Sequence, residues 1–199
     1  MLTLRAATPS VWLETVLGDF DLFLLDHAAA ERKASAVALS LISHYPDRAE
    51  LVAAMMNIAR EELEHYYQVY RQLVRRGLSL GKDEKDAYVG KMRKLIRSGS
   101  EAYFLDRLLV AGVVESRGCE RFGLVAEAVP DPVLAHFYKE IAASEARHDE
   151  IFIGLARSYF DEDQVAHRLG ELLDFEAEIM LALEPVSYTH LTLPTICSV

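Results

Sequence analysis

The chain has 199 residues, of which 51% are hydrophobic and 26% charged, and its formal net charge is −10. This composition predicts one folded domain, excludes a disordered chain, and argues against a protein coated in nucleic acid. Its two cysteines, Cys119 and Cys197, exclude a disulfide framework and a cysteine-based metal site, and they fit a cytoplasmic location. We expect no signal peptide, and no membrane-spanning helix, because no apolar stretch approaches roughly 18 residues.

Helix start and stop signals follow one another along the chain. Thr8-Pro9 opens a short helix that ends at Gly18, and Tyr45-Pro46 separates the first two long helices. Gly77 closes the second long helix, Ser100 caps the third, and Asp131-Pro132 opens the fourth. Helices are therefore predicted over residues 9–18, 19–44, 46–76, 83–97, 100–129, 132–160 and 161–184. The sequence shows no strand-like alternation, so it predicts an all-α bundle. Short connections make neighbouring helices antiparallel, and the one longer connection joins the second and third long helices.

The final 14 residues, VSYTHLTLPTICSV, differ from the rest of the chain in composition. They carry no charge, are rich in Thr, Ser and β-branched residues, and resemble translated vector sequence. We interpret residues 186–199 as a non-native tail and residues 1–185 as the domain.

Two long helices repeat one chemical motif. Glu62 and His65 lie in REELEHY, and Glu145 and His148 lie in SEARHDE. Residues three apart on a helix are separated by 60° around the axis, so each Glu-x-x-His pair can converge on one point.

A lone glutamate precedes each motif. Glu31 comes 31 residues before Glu62, and Glu115 comes 30 residues before Glu145, so the chemistry of one half recurs in the other at offsets of 84 and 83. Glu115 follows the apolar run LLVAGVV, and a buried ionised glutamate is costly unless it is paired or bound to a metal. His27, one turn before Glu31, could lie beside such a site, although a packed and hydrogen-bonded histidine is the simpler interpretation.

Four carboxylates and two imidazoles are donors suited to a pair of iron or manganese ions. Di-iron carboxylate bundles use this ligand set: two helices each supply one glutamate, and the other two each supply a Glu-x-x-His motif. The sequence thus predicts a ferritin-like four-helix bundle with a crossover connection between the second and third long helices, flanked by a short N-terminal and a C-terminal helix. This ligand set defines the cofactor and leaves the substrate open.

A basic stretch interrupts the acidic chain. Residues 71–97 contain nine basic and three acidic residues, a net charge of +6, which leaves −16 for the remainder. Such a patch is typical of a polyanion-binding surface, although a solvated helix and loop would explain it equally well. The candidate polyanion contacts, which are tRNA contacts if the polyanion is tRNA as the resemblance below implies, are Arg75, Arg76, Lys82, Lys85, Lys91, Arg93, Lys94 and Arg97.

The segments LLDHAAAERKAS, REELEHY, VVESRGCERF and SEARHDE, in this order, resemble the bacterial tRNA-(2-methylthio-N6-isopentenyladenosine) hydroxylases over residues 4–184. The resemblance implies a di-iron monooxygenase that uses O₂ and electrons from an external reductase to hydroxylate the isopentenyl group of an adenosine next to the anticodon. It implies two iron ions, as Fe²⁺ or Fe³⁺. We also expect a monomer with no membrane partner. The implied metal ligands are Glu31, Glu62, His65, Glu115, Glu145 and His148, with Glu62 and Glu145 bridging.

Other functions share this ligand set. A quinone-type hydroxylase predicts an exposed apolar face near the site, and a ferroxidase or iron-storage protein predicts a large hollow assembly. A metal-free helical interaction module predicts no metal uptake. The lack of a cysteine-rich iron domain disfavours a rubrerythrin-like electron carrier.

Overall fold

The computed structural model describes residues 2–82 and 86–182. Seven helices and no strand form within these residues. Their bounds are α1 Ser10–Gly18, α2 Phe20–His44, α3 Ala49–Arg75, α4 Ala87–Arg93, α5 Ser100–Ala128, α6 Pro132–Tyr159 and α7 Glu162–Ala182. The chain divides into two compact units. The boundaries between them fall within α1, after Leu13, and between residues 86 and 87.

One unit is built on the pair α2 and α3. Asp19 caps α2 by accepting a hydrogen bond from the Leu22 amide, and Gly77 follows α3 with φ of +71°, a conformation that glycine adopts without strain. The hydroxyl of Ser35 donates to the carbonyl of Ala59 at 2.8 Å, which ties the middle of α2 to α3. The buried faces of both helices carry the predicted ligands of this half.

The other unit is built on α5 and α6, with α4 and α7 packed against α5. The run LLVAGVV in α5 is buried throughout, as its sequence predicts. Gly112 permits the close approach of α6, because a Cβ at this position would lie 3.0 Å from Cδ1 of Ile153. This close packing brings Glu115 of α5 alongside the Glu-x-x-His motif of α6.

Three predicted boundaries were wrong in detail. α3 begins at Ala49 rather than at Pro46, because Tyr45 and Arg48 close a turn in which the Arg48 amide donates to the Tyr45 carbonyl. The predicted helix over 83–97 is shorter in the described residues, Ala87–Arg93. Ser100 is the first residue of α5 and not its cap, since Gly99 with φ of +98° occupies the cap position.

Residues 183–199, including the predicted tail, lie outside the described residues. Among the described helices, none is long and apolar enough to cross a bilayer.

Asp131 caps α6, and Oδ1 accepts hydrogen bonds from the amides of Val133 at 2.8 Å and Leu134 at 3.4 Å. We expect Asp131→Ala to lower the free energy of unfolding by about 1 kcal/mol, because the first-turn amides lose their acceptor. Urea unfolding would measure the difference. Asp131→Asn keeps an acceptor oxygen and should retain most of the stability, so an equal loss in both variants would argue against capping.

Candidate metal centre

The first triad consists of Glu31 on α2 and of Glu62 and His65 on α3. All three side chains are buried, with at most 7% of each residue exposed. Nδ1 of His65 lies 3.6 Å from an oxygen of Glu31 and 3.6 Å from an oxygen of Glu62. The three residues offer ligand atoms that lie within 4.8 Å of one another. The structure therefore brings together the three ligands that the sequence predicts for this half.

The second triad consists of Glu115 on α5 and of Glu145 and His148 on α6. These residues are also buried, and Nδ1 of His148 lies 3.2 Å from an oxygen of Glu145. Their ligand atoms again lie within 4.8 Å of one another. Each unit thus contains one Glu, Glu, His set, which matches the repeat seen in the sequence.

Both triads suit a metal ion. Atoms bound at about 2.1 Å to one ion lie roughly 3.0–3.6 Å apart, and the distances within the triads are close to this range. Each triad buries two carboxylates, and an ionised carboxylate in a protein interior costs several kcal/mol unless a cation compensates it. A divalent ion would balance the two negative charges of a triad.

His27 is a further polar residue that the structure places beside the first triad. It is fully buried, and its Nε2 lies 2.5 Å from Oε1 of Glu31. The sequence favoured a packed, hydrogen-bonded histidine at this position. In the structure, its hydrogen-bond partner is the predicted ligand Glu31. His27 and Glu31 are four residues apart on one helix, and this spacing was the sequence signal that their side chains could meet.

A buried ionic network around Arg117 of α5 was not predicted. The guanidinium of Arg117 donates to both carboxylate oxygens of Glu176 on α7, at 2.8 and 2.9 Å, and to the carbonyl of Ala6 at 2.7 Å. Tyr88 of α4 donates to the same carboxylate at 3.0 Å. Burial, and then the charge of Glu176, raise the pKa of the Tyr88 hydroxyl well above its usual value. The network joins α4, α5, α7 and the N-terminal segment, and so fixes the helix that carries Glu115.

Cys119 lies two residues after Arg117 on α5, is buried, and donates to the carbonyl of Ala142. Burial, and then the charge of Glu145, raise the pKa of its thiol to about 11. A thiol that stays protonated near neutral pH is a poor nucleophile, so we interpret Cys119 as a packing residue.

The predicted tRNA contacts differ in whether they already bind a carboxylate of the protein. Arg97 donates through its backbone amide and its side chain to Asp106, and Arg76 donates to Asp21 at 2.7 Å. Lys85 lies outside the described residues. Five others are at the surface or partly buried: Arg75, Lys82, Lys91, Arg93 and Lys94.

The fold is similar to that of a solved structure described as protein 43 with aldehyde deformylating oxygenase activity from Synechococcus. The TM-score is 0.88 at 33% sequence identity, over 98% of this chain and 96% of that one. The prediction of an all-α, ferritin-like fold is confirmed. By its fold and its buried carboxylate and histidine donors, the chain falls in the ferritin-like class of di-iron proteins.

A family model places it more narrowly. Residues 1–191 match the family described as tRNA-(MS[2]IO[6]A)-hydroxylase (MiaE), and the chain belongs to this family of tRNA-modifying enzymes. A relative from Pseudomonas putida, named tRNA 2-(methylsulfanyl)-N(6)-isopentenyladenosine(37) hydroxylase, is 35% identical over 96% of this chain and 93% of its own length. A relative of the same name from Salmonella typhimurium is 29% identical over 67% of this chain and 48% of its own length. The family confirms the resemblance drawn from the sequence and does not support the quinone-type or iron-storage alternatives.

Proposed function

We propose that the protein is an O₂-dependent di-iron monooxygenase that hydroxylates the isopentenyl group of 2-methylthio-N6-isopentenyladenosine in tRNA. The observation that carries this proposal is a family match across residues 1–191 in a chain that buries two Glu, Glu, His triads. The name of the Pseudomonas putida relative supports the same substrate.

We propose that the two triads act together and hold two irons through six side chains. The ligands are Glu31, Glu62, His65, Glu115, Glu145 and His148, with Glu62 and Glu145 bridging. Four carboxylates carry four negative charges, which balance two Fe²⁺ ions and remove the cost of burying the glutamates. Carboxylate oxygens bind iron and can bridge two ions, and each imidazole adds one nitrogen.

Iron bound at these ligands supplies O₂ activation and transfer of one oxygen atom to a C–H bond. The residues of the chain would hold the ligand atoms in place, and the buried apolar run LLVAGVV directly before Glu115 would keep water from that carboxylate. In the balanced reaction, one oxygen atom enters the isopentenyl group and the other leaves as water, which consumes two electrons and two protons.

Those two electrons come from outside the chain, and we therefore propose an external reductase as a partner. Two thiols supply two electrons by forming a disulfide, and Cys119 is the one cysteine among the described residues. A cytoplasmic location fits the tRNA substrate. A net charge of −10 opposes self-association, which favours a monomer.

We propose that tRNA contacts the basic residues between α3 and α5. Arg75, Lys82, Lys91, Arg93 and Lys94 are the strongest candidates, because Arg76 and Arg97 already form ion pairs within the protein. Lys85 belongs to the same stretch of sequence. Basic side chains hold phosphates without reading the base, so they would orient the anticodon arm while the metal centre acts on the modified adenosine.

Charge reversal tests this surface. We expect the double variant Arg93→Glu/Lys94→Glu to weaken tRNA binding at least 10-fold and to lower the salt dependence of log Kd by about one to two units, because each lost phosphate contact removes about one released counterion. Binding should be titrated at several salt concentrations. The matched control is the double variant Lys139→Glu/Arg157→Glu, which reverses two exposed charges on α6. Equal effects of the two changes would refute a local tRNA surface.

The function itself is tested with iron-loaded, reduced protein, a competent reductase system, O₂ and tRNA that carries the prenylated adenosine. We expect the nucleoside to gain one oxygen atom, as measured by mass spectrometry of the digested tRNA. The same tRNA without the prenyl group is the negative control.

A long-chain aldehyde is tested as a second substrate in parallel, because of the activity named for the Synechococcus protein. Aldehyde consumption without any change in the tRNA would reject the proposed substrate.

A further inference from the structure

The two oxygens of the Glu31 carboxylate face different partners. Oε1 lies 2.5 Å from Nε2 of His27, whereas Oε2 lies 3.6 Å from Nδ1 of His65. An ionised carboxylate only accepts hydrogen bonds, so Nε2 of His27 is the donor. His27 is fully buried and lies one helical turn before Glu31 on α2. This hydrogen bond therefore fixes the rotation of the carboxylate from within the same helix.

We propose that His27 is a positioning residue of the metal centre. By engaging Oε1, it leaves Oε2 as the oxygen that Glu31 would offer to a metal. The inference rests on the proposed function, since it takes Glu31 as a ligand. Hydrogen-bond partners of metal ligands set their orientation and commonly change metal affinity by about 10–100-fold.

The second triad has a different arrangement at the corresponding turn. The offset of 84 that relates Glu31 to Glu115 places Ala111 where the first half has His27, and Gly112 follows. Neither side chain can donate a hydrogen bond. The space beside Gly112 is also filled, with Cδ1 of Ile153 at 3.0 Å and the carbonyl oxygen of Asp149 at 3.4 Å from the position of a Cβ. No histidine-sized side chain fits there without displacing α6.

The two halves therefore differ at this turn, even though their predicted ligand sets are the same. The Glu31 carboxylate is held by an imidazole on its own helix, whereas Ala111 and Gly112 offer no imidazole at the corresponding place before Glu115. Loss of His27 should consequently affect one of the two metal-binding steps and leave the other unchanged.

The test is an anaerobic Fe²⁺ titration of the full-length protein without tRNA, followed by calorimetry and by metal analysis after desalting. We expect His27→Ala to weaken one of two binding steps by about 10–100-fold. His27→Gln retains an N–H donor at a similar distance and should recover most of the affinity. The matched control is Ser35→Ala, which removes another buried hydrogen bond of α2, one turn after Glu31, without touching the carboxylate.

Several outcomes would overturn the inference. They are an unchanged Fe²⁺ titration in His27→Ala, an equal weakening of both steps, or a His27→Gln variant as defective as His27→Ala. Thermal melting of the metal-free proteins gives an independent reading, because a purely structural histidine would lower the melting temperature without separating the two steps. Unmodified protein that binds two irons but leaves tRNA unchanged would reject only the proposed substrate. Unmodified protein that takes up no metal would reject both.

Discussion

Replacing Glu115 with alanine is expected to abolish tRNA hydroxylation and to reduce bound iron below two per chain. The change removes one carboxylate of the second triad and half of the negative charge that the triad buries. Loss of an outer hydrogen-bond partner alone costs about 10–100-fold, so loss of a ligand should lower activity by more than about 100-fold. Iron content after desalting and single-turnover oxygen incorporation are the two measurements.

Glu127→Ala is the matched control, because Glu127 is exposed near the end of the same helix. This control should retain two irons and full activity. A Glu115→Ala protein that retained both irons would show that Glu115 is not a ligand.

Breaking the Arg117–Glu176 pair is expected to have the largest effect on stability. Both side chains are fully buried, and Glu176→Ala leaves the guanidinium without its bidentate partner. Removal of one member of a buried ion pair typically costs about 3–5 kcal/mol. For a protein of this size, that corresponds to a fall in the melting temperature of roughly 6–20 °C. Urea and thermal unfolding would measure the change.

Glu178→Ala serves as the control, because it removes an exposed carboxylate from α7. The double variant Arg117→Met/Glu176→Leu replaces both charges with apolar groups and should be more stable than Glu176→Ala alone. If Glu176→Ala unfolded at the same urea concentration as the unmodified protein, the network would have no role in holding α5.

The helices could largely be predicted because their ends carry local signals. Asp19, Gly77 and Asp131 act within one turn of their own position, and the structure uses each of them as a terminus. The predicted start of α3 at Pro46 was wrong because proline fits a first helical position and a turn equally well. Only the hydrogen bond between Arg48 and Tyr45 distinguishes the two.

The triads could be predicted because metal-ligand chemistry restricts both residue type and spacing. Glu62 and His65, three residues apart, had to share a helix face, and Glu145 and His148 repeat that spacing. Glu120, three residues after Arg117, is a partner that helix spacing could have indicated. Glu176 and Ala6 could not be predicted, since Glu176 is 59 residues away and Ala6 contributes only a backbone carbonyl. The available signal that Arg117 needs a buried partner was its place two residues after Glu115, just beyond the apolar run LLVAGVV.

The central claim is that the six predicted ligands hold two irons in one centre, and Mössbauer and EPR spectroscopy of the iron-loaded protein test it most directly. We predict two irons per chain that form a spin-coupled pair, which is silent in conventional EPR when both ions are ferric. The account would be contradicted by a single iron per chain, or by two irons that give the EPR signal of isolated high-spin ferric ions.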